Sequence, residues 1–244
     1  MEQISPYISV DCVLFGYNGF ELEVLIVDRT LTNDKTHELI FNDQTLTGNH
    51  VYVDETIDDA ANRVLFELTG LKDVFLEQFK TFAHPNRLLK PNDQIWLQHT
   101  GRDPKARIVT IGFYSLLATD KIKLEWKGRN VRWIPIKEIG ELAFDHNLIL
   151  SEALRTLRQR IKYEPITFEL LPEKFTLTQL QNVYEAIWDV ELDKRNFRKK
   201  VARMKYLIPL DEKQTGVAHK PARLYVFSRD VYTKTKKELF DFTI

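Results

Sequence analysis

Hydrophobic and polar positions along this chain fall into two textures: runs dense in β-branched and aromatic residues, and stretches of helical spacing. The runs at 7–17 and 22–29 predict two strands, and Tyr-Asn-Gly-Phe at 17–20 supplies the Asn-Gly hairpin signal between them. Over 56–69 the period changes. Ile57, Ala60, Ala61, Val64, Leu65 and Leu68 share one helical face, and Gly70 follows as a stop. Strand texture returns at 108–118 and 130–136. Helical spacing resumes across 147–161 through Leu148, Leu150, Ala153, Leu154, Leu157 and Ile161. Strands, a central helix, strands and a closing helix predict a mixed α/β domain over 1–162. Residues 84–107 carry neither texture; so long an irregular stretch is expected to be functional or mobile.

A joint is expected at 162–166, where Pro165 biases Glu164 away from helix. Beyond it, 166–244 reads as a second, smaller domain. Thr176 and Gln179 fit a capping box, and Leu177, Leu180, Tyr184, Ile187 and Trp188 form an apolar stripe behind it. A short turn at 189–192 leads to Asp193, the cap of a second helix expected over 193–205, with Phe197, Val201 and Met204 inward. Two helices joined so tightly, the second basic, predict a helix-turn-helix whose second helix enters the DNA major groove. Runs at 205–210 and 222–227 predict a strand pair, with Gly216 in the tip of a wing between them.

Charge sharpens this picture. The 244 residues balance at a net charge of zero, yet 166–244 carry 15 Lys and Arg against 11 Asp and Glu, a surplus of 4 that residues 1–165 offset. Within 193–205 alone, seven cations face one acid. A run of charge is commonly just a solvated helix face. Here the cap, the tight turn, the apolar triplet and the following hairpin favour DNA. The expected contacts are Thr178, Lys194, Arg195, Asn196, Arg198, Lys199 and Arg203 around the helices, with Lys220 and Arg223 on the wing; Lys213 and His219 lie within phosphate reach there. Asn196 and the arginines have the donor geometry to read adenine and guanine edges. Cys12 is the single cysteine, which excludes an intramolecular disulfide and a cysteine-based zinc site. The opening residues show no basic leader before an apolar run, and no stretch reaches the ~20 apolar residues of a membrane span. A cytoplasmic protein without membrane partners is expected.

The segment 46–71, LTGNHVYVDETIDDAANRVLFELTGL, resembles the Nudix box, G-x5-E-x7-R-E-U-x-E-E-x-G-U, in which U is a bulky apolar residue. Glu55, Arg63, Leu65, Glu67, Gly70 and Leu71 match six of its nine defined positions. Asn49, Val64 and Leu68 replace the glycine and two of the helical glutamates. Those glutamates share one helix face, where together they hold hard divalent cations beside a pyrophosphate. Glu67 alone does not replace them, so no catalytic residue, metal or cofactor is expected. Glu55 and Arg63 are expected to persist as a structural pair.

A degenerate Nudix box ahead of a winged helix resembles the Nudix-related transcriptional regulators. Leu142-Ala-Phe-Asp-His146, Asp193-Lys-Arg-Asn-Phe-Arg-Lys199, Lys220-Pro-Ala-Arg-Leu-Tyr225 and the loop Arg102–Arg107 add to the resemblance, which spans nearly the whole chain. It implies an α+β chain, an N-terminal Nudix-like mixed α/β sandwich followed by a small winged helix-turn-helix domain. It also implies a homodimeric repressor or activator on a palindromic DNA operator. The implied effector is a sugar such as arabinose or an ADP-ribose-like nucleotide. His84, Arg102, Asp103 and Arg107 are the effector-binding candidates, His146 is expected to tie the closing helix to the sheet, and the helix over 142–161 is the expected lever between the domains. The alternative is an active Nudix hydrolase of a nucleoside diphosphate-linked substrate with an accessory domain.

Overall fold

The computed structural model describes residues 3–70, 72, 75–119, 130–218 and 220–235, the side chain of Leu68 excepted. Leu71 and His219 lie outside the described residues. Two compact units emerge. The first holds the described residues among Met1–Gly16, Glu23–Leu117 and Lys121–Arg155, the second those among Tyr17–Leu22, Ala118–Asp120 and Thr156–Ile244.

In the first unit, strands β1 (Ile4–Tyr17), β2 (Leu22–Thr32), β3 (Leu39–Thr45) and β4 (Thr47–Tyr52) precede helix α1 (Ile57–Thr69). Strand β5 (Leu76–Phe82), helix α2 (Pro91–His99), strands β6 (Val109–Ala118) and β7 (Val131–Pro135) and helix α3 (His146–Arg160) follow, the residues of α3 from Thr156 on belonging to the second unit. The sheet runs β3-β2-β1-β6-β5, with β4 also paired to β1 and β7 to β2. The expected hairpin joins β1 and β2; Asn18 accepts the Phe20 and Glu21 N–H groups, and Gly19 takes the φ of 98° that the turn requires.

The centre of β1 is buried on both faces, since Val10, Cys12 and Leu14 alternate with equally buried Val13 and Phe15. Ala60, Ala61, Val64 and Leu65 of α1 pack onto Val10, Cys12 and Leu14. The small alanines let the helix lie close to the sheet. Thr56 and Asp59 close a capping box at its start, and Gly70 ends it in the left-handed region.

Several elements depart from the sequence expectation. The stretch 84–107 contains α2, and β3, β4 and β5 complete the sheet. On α3 the inward face is set by Ile149, Leu150, Ala153 and Leu157, while Leu148 is 49% exposed and turns outward.

In the second unit a 3-10 turn at Ile166–Leu170 leads to α4 (Leu177–Trp188) and α5 (Lys194–Val201), then to β8 (Leu207–Lys213), β9 (Arg223–Phe227) and α6 (Arg229–Thr235). The expected capping box forms: Thr176 Oγ1 accepts the Gln179 N–H at 3.1 Å and Gln179 Oε1 accepts the Thr176 N–H at 2.8 Å. Asp189 ends α4 at φ 59°, a left-handed position that Asp tolerates. Asp193 caps α5 through the Asn196 N–H at 2.8 Å. Phe197 and Val201 turn inward, with the Phe197 ring edge-on to Tyr184 at 5.9 Å. The helix is shorter than expected: it ends at Val201, leaving Arg203, Met204 and Lys205 in the turn before β8. Strands β8 and β9 pair antiparallel from Leu207↔Phe227 to Lys213↔Arg223, forming the wing stem with Gly216 in its tip.

Candidate functional sites

The first unit encloses a cavity of about 270 Å³, with walls drawn from β1, β2, β4, α1, α2 and β6. Two buried arginines line it, each held between carboxylates. Arg29 of β2 donates Nε and Nη2 to Asp43 at 2.7 and 2.6 Å, and Nη2 also to Asp93 of α2 at 2.7 Å. Its guanidinium lies within cation–π range of Phe41, Phe144 and Trp96, at 5.1, 4.7 and 5.5 Å. Arg87 donates Nε and Nη2 to Asp145 at 2.9 and 2.7 Å, and Nη1 to Thr110 Oγ1 at 2.6 Å. Such two-pronged pairing neutralises guanidinium charge where water is scarce.

Asp11, also buried, places Oδ2 at 3.7 Å from both Arg87 Nη2 and His146 Nε2. Burial lifts its carboxyl to about 6, against the lowering pull of Arg87. Burial pushes the His146 imidazole down to about 3. It is therefore neutral at pH 7, and its Nδ1 accepts the Leu46 N–H at 3.0 Å beside Thr45 Oγ1 at 2.9 Å. His146 thus ties α3 to the sheet, as expected. His50, lowered by burial and then by Arg102, donates Nδ1–H to the carbonyls of Ser5 and Ile8.

The degenerate box borders the same cavity. Arg63 clasps Glu55 through Nε at 3.0 Å and Nη2 at 2.6 Å, and Nη2 reaches the His50 carbonyl at 2.9 Å. This pair fastens the loop to α1, the structural role expected of it. It holds the Glu55 carboxyl below its ordinary range. Where the box has glutamate one turn before Glu67, Val64 is buried in the core and lines the cavity. Among the described residues, no group of three or more His, Cys, Asp or Glu side chains is placed to hold a metal ion. Among the described residues of the box, Val64 stands beside Glu67, a pair that does not make a divalent cation cluster.

The four effector candidates separate. Arg102 lines the cavity and donates Nη2 to Asn49 Oδ1 at 3.3 Å. His84, Asp103 and Arg107 do not line it. His84 is exposed, accepts the Asn86 N–H and borders a shallower depression beside Lys90 and Asp145. Asp103 accepts the Lys105 N–H in a tight turn, and Arg107 donates to the Ala83 carbonyl. Sequence reasoning missed Asp11, Arg29, Arg87 and Asp93. The available signal was a charged residue inside an otherwise apolar strand run, as with Asp11 in Ser9-Val-Asp-Cys-Val13.

In the second unit Lys194, Arg195, Asn196, Arg198 and Lys199 are exposed on α5, and Thr178 is exposed in the first turn of α4. Arg203 is exposed just past α5 rather than on it. Lys220 is exposed beside the wing tip. Arg223 donates Nε to the Leu210 carbonyl at 2.6 Å and Nη2 to Asp211 at 3.1 Å, so it also braces the wing. The polar side of α5 thus offers cations from a helix anchored by Phe197 and Val201, the arrangement that major-groove recognition requires.

Comparison with known proteins supports both units. Residues 167–227 match the family model described as the NrtR DNA-binding winged helix domain. The chain is 26% identical, over 93% of its length and 84% of the relative's, to the protein of Acinetobacter baylyi described as the ADPR responsive transcriptional repressor NtrR. It is similar to the crystal structure of Shewanella oneidensis NrtR complexed with a 27mer DNA, at TM-score 0.74 and 26% identity over 96% of this chain and 97% of that one. A MutT/nudix family protein from Enterococcus faecalis shares the fold at TM-score 0.64 and 23% identity, covering 92% of this chain and 88% of its own.

Proposed function

We propose that this chain, a Nudix-related transcriptional regulator with a C-terminal winged helix, is a repressor that an ADP-ribose-like effector releases from its operator. The observation that carries the DNA half is α5: a capped helix in a helix-turn-helix, basic on its exposed side, within the segment that matches the winged helix family. Support for the effector comes from the ADPR-responsive description of the A. baylyi repressor, which favours an ADP-ribose-like nucleotide over a sugar such as arabinose. In this reading residues 1–162 sense the effector and 166–244 bind DNA in the cytoplasm. Lys194, Arg195, Asn196, Arg198 and Lys199 meet base edges and phosphates, aided by Thr178, Arg203, Lys220 and Arg223. The operator is palindromic and the protein a homodimer, since paired recognition helices meet half-sites about one helical turn, ~34 Å, apart. Arg102 is the retained effector contact. The sensing unit does not hydrolyse its ligand, because the box lacks the carboxylates that hold divalent cations.

The test is duplex binding by the full-length protein, using an operator recovered by in vitro selection from random duplexes. Arg195→Ala or Arg198→Ala is expected to cost about 1–3 kcal/mol on the selected duplex and less on unrelated DNA. Lys220→Ala is expected to weaken all duplexes alike and to lower the salt slope by about one unit. ADP-ribose is expected to release the selected duplex. Variants that remain folded and bind as wild type does would make α5 a solvated face and end the DNA reading.

A further inference from the structure

Asp11 lies on β1 directly opposite Gly48 of β4. Side chains directly opposite in an antiparallel pair share a face and sit close together. A Cβ at position 48 would fall 1.9 Å from Asp11 Oδ1, so the absence of a side chain there makes room for the carboxylate. The carboxylate lines the cavity, yet its strongest neighbours are committed elsewhere. Arg87 spends Nε and Nη2 on Asp145 and comes no nearer than 3.7 Å to Asp11 Oδ2. His146 uses Nδ1 as the acceptor for Leu46, which leaves the proton on Nε2, 3.7 Å from the same oxygen. The Thr110 hydroxyl, which also meets Arg87 and Ser9, is the close donor. A carboxylate has about four acceptor sites, and a buried one short of donors is costly. The cavity therefore presents an acceptor that an entering donor satisfies.

The chemistry of that donor follows from the surrounding charge. A phosphate would be repelled by Asp11, and the two inner guanidiniums have their charge balanced by Asp43 and Asp93 or by Asp145, with Arg29 Nη1 alone left without a hydrogen-bond partner among the described residues. A neutral group with adjacent hydroxyls meets neither obstacle and donates to both carboxylate oxygens. Adenine, which favours an aromatic wall, fits better beside Trp96 and Phe144. We propose that Asp11, seated over Gly48, is a sugar-hydroxyl subsite that receives the terminal ribose of the effector, with the diphosphate lying away from it. This rests on the effector reading above.

A pH dependence accompanies the geometry. Asp11 titrates near 6 because burial raises it and Asp145 adds to the rise, opposed by Arg87, Thr110 and His50. His146, held down to about 3, stays neutral across this window, while His50, lowered by burial, and Asp93, raised by burial, are the other shifted groups packed around the cavity, so the profile of Asp11→Asn is what assigns the change to Asp11. Below pH 6 the protonated carboxyl loses acceptor capacity, so a hydroxyl-bearing ligand binds better as pH rises. The diphosphate diester of ADP-ribose does not titrate there.

Calorimetric titration of the full-length protein with ADP-ribose and with ADP, which lacks the terminal ribose, provides the test. For wild type, ADP-ribose affinity is expected to rise about ten-fold between pH 5 and pH 7.5, following deprotonation of one group over more than a unit. At pH 7.5, Asp11→Asn is expected to lose about ten-fold for ADP-ribose with ADP affinity unchanged, and its ADP-ribose profile is expected to be flat. Equal ADP-ribose affinity in wild type and Asp11→Asn overturns the subsite, as does an equal loss for ADP. Should the variant not fold, a flat wild-type profile for ADP-ribose overturns it. Wild-type protein that binds neither nucleotide overturns the effector reading as well, a separate result from a bound ligand indifferent to Asp11.

Discussion

Val64 faces the core on the inner side of α1, and Glu67 follows it less than one turn later. A divalent cation shared with a pyrophosphate needs several carboxylates and retained water, and an aliphatic group beside a lone glutamate supplies neither. Incubation with ADP-ribose and Mg²⁺ or Mn²⁺ is therefore expected to leave the nucleotide intact by chromatography. Turnover abolished by Glu67→Gln would show instead that a working metal site has assembled. This inference was available from the sequence, because the box fixes spacing and each substitution is local. The same holds for the Glu55–Arg63 clasp. The cavity was not legible in that way. Arg29, Asp43 and Asp93 come from β2, β3 and α2, and they become partners only when the sheet and the inserted helix meet. Of the loop residues selected for charge, Arg102 lines the cavity, while His84, Asp103 and Arg107 satisfy nearby backbone groups instead.

Elements were readable where local chemistry fixed their ends. Thr56 and Gly70 bracket α1, Thr176 opens α4 and Asp193 opens α5, each with a partner near in sequence. Helix α2 was hidden because its nine residues bury Asp93 beside Leu97, so no continuous apolar stripe marks it. Strands β3 and β5 were hidden by their polar residues, since only Phe41 and Phe82 are fully buried on them. Helix α5 was overestimated because Met204 continues its spacing into a turn. At 8 residues α5 is too short to persist alone in water and depends on its cap and its two buried anchors. Asp193→Ala leaves the Asn196 N–H without its acceptor. It is expected to cost about 1 kcal/mol in chemical denaturation followed by circular dichroism. Operator affinity should fall with it, although Asp193 carries the wrong sign to attract DNA. Unchanged stability would mean that solvent caps the helix as well as the carboxylate does.

At the scale of the molecule, the proposed function has effector and operator engage different units, so regulation would require a free-energy coupling rather than a shared contact. The chain itself supplies a connection: His146–Arg155 of α3 belong to the first unit and Thr156–Arg160 to the second. His146 anchors the start of that helix to the sheet beside the cavity, through Leu46 and Thr45. A ligand shifts a conformational equilibrium only by its difference in affinity for the two states. Coupling of this kind is reciprocal and commonly amounts to about 1–3 kcal/mol, or 5- to 150-fold. If ADP-ribose lowers operator affinity by a given factor, saturating operator is expected to lower ADP-ribose affinity by the same factor. Fluorescence anisotropy of labelled duplex at rising ADP-ribose gives the first factor, and calorimetry with and without duplex gives the second. His146→Gln is expected to reduce both factors together, even where it leaves either ligand's own binding intact. Unequal factors under the same salt and pH would mean that the two measurements sample different assemblies, and a single coupled equilibrium would then be the wrong description of this protein.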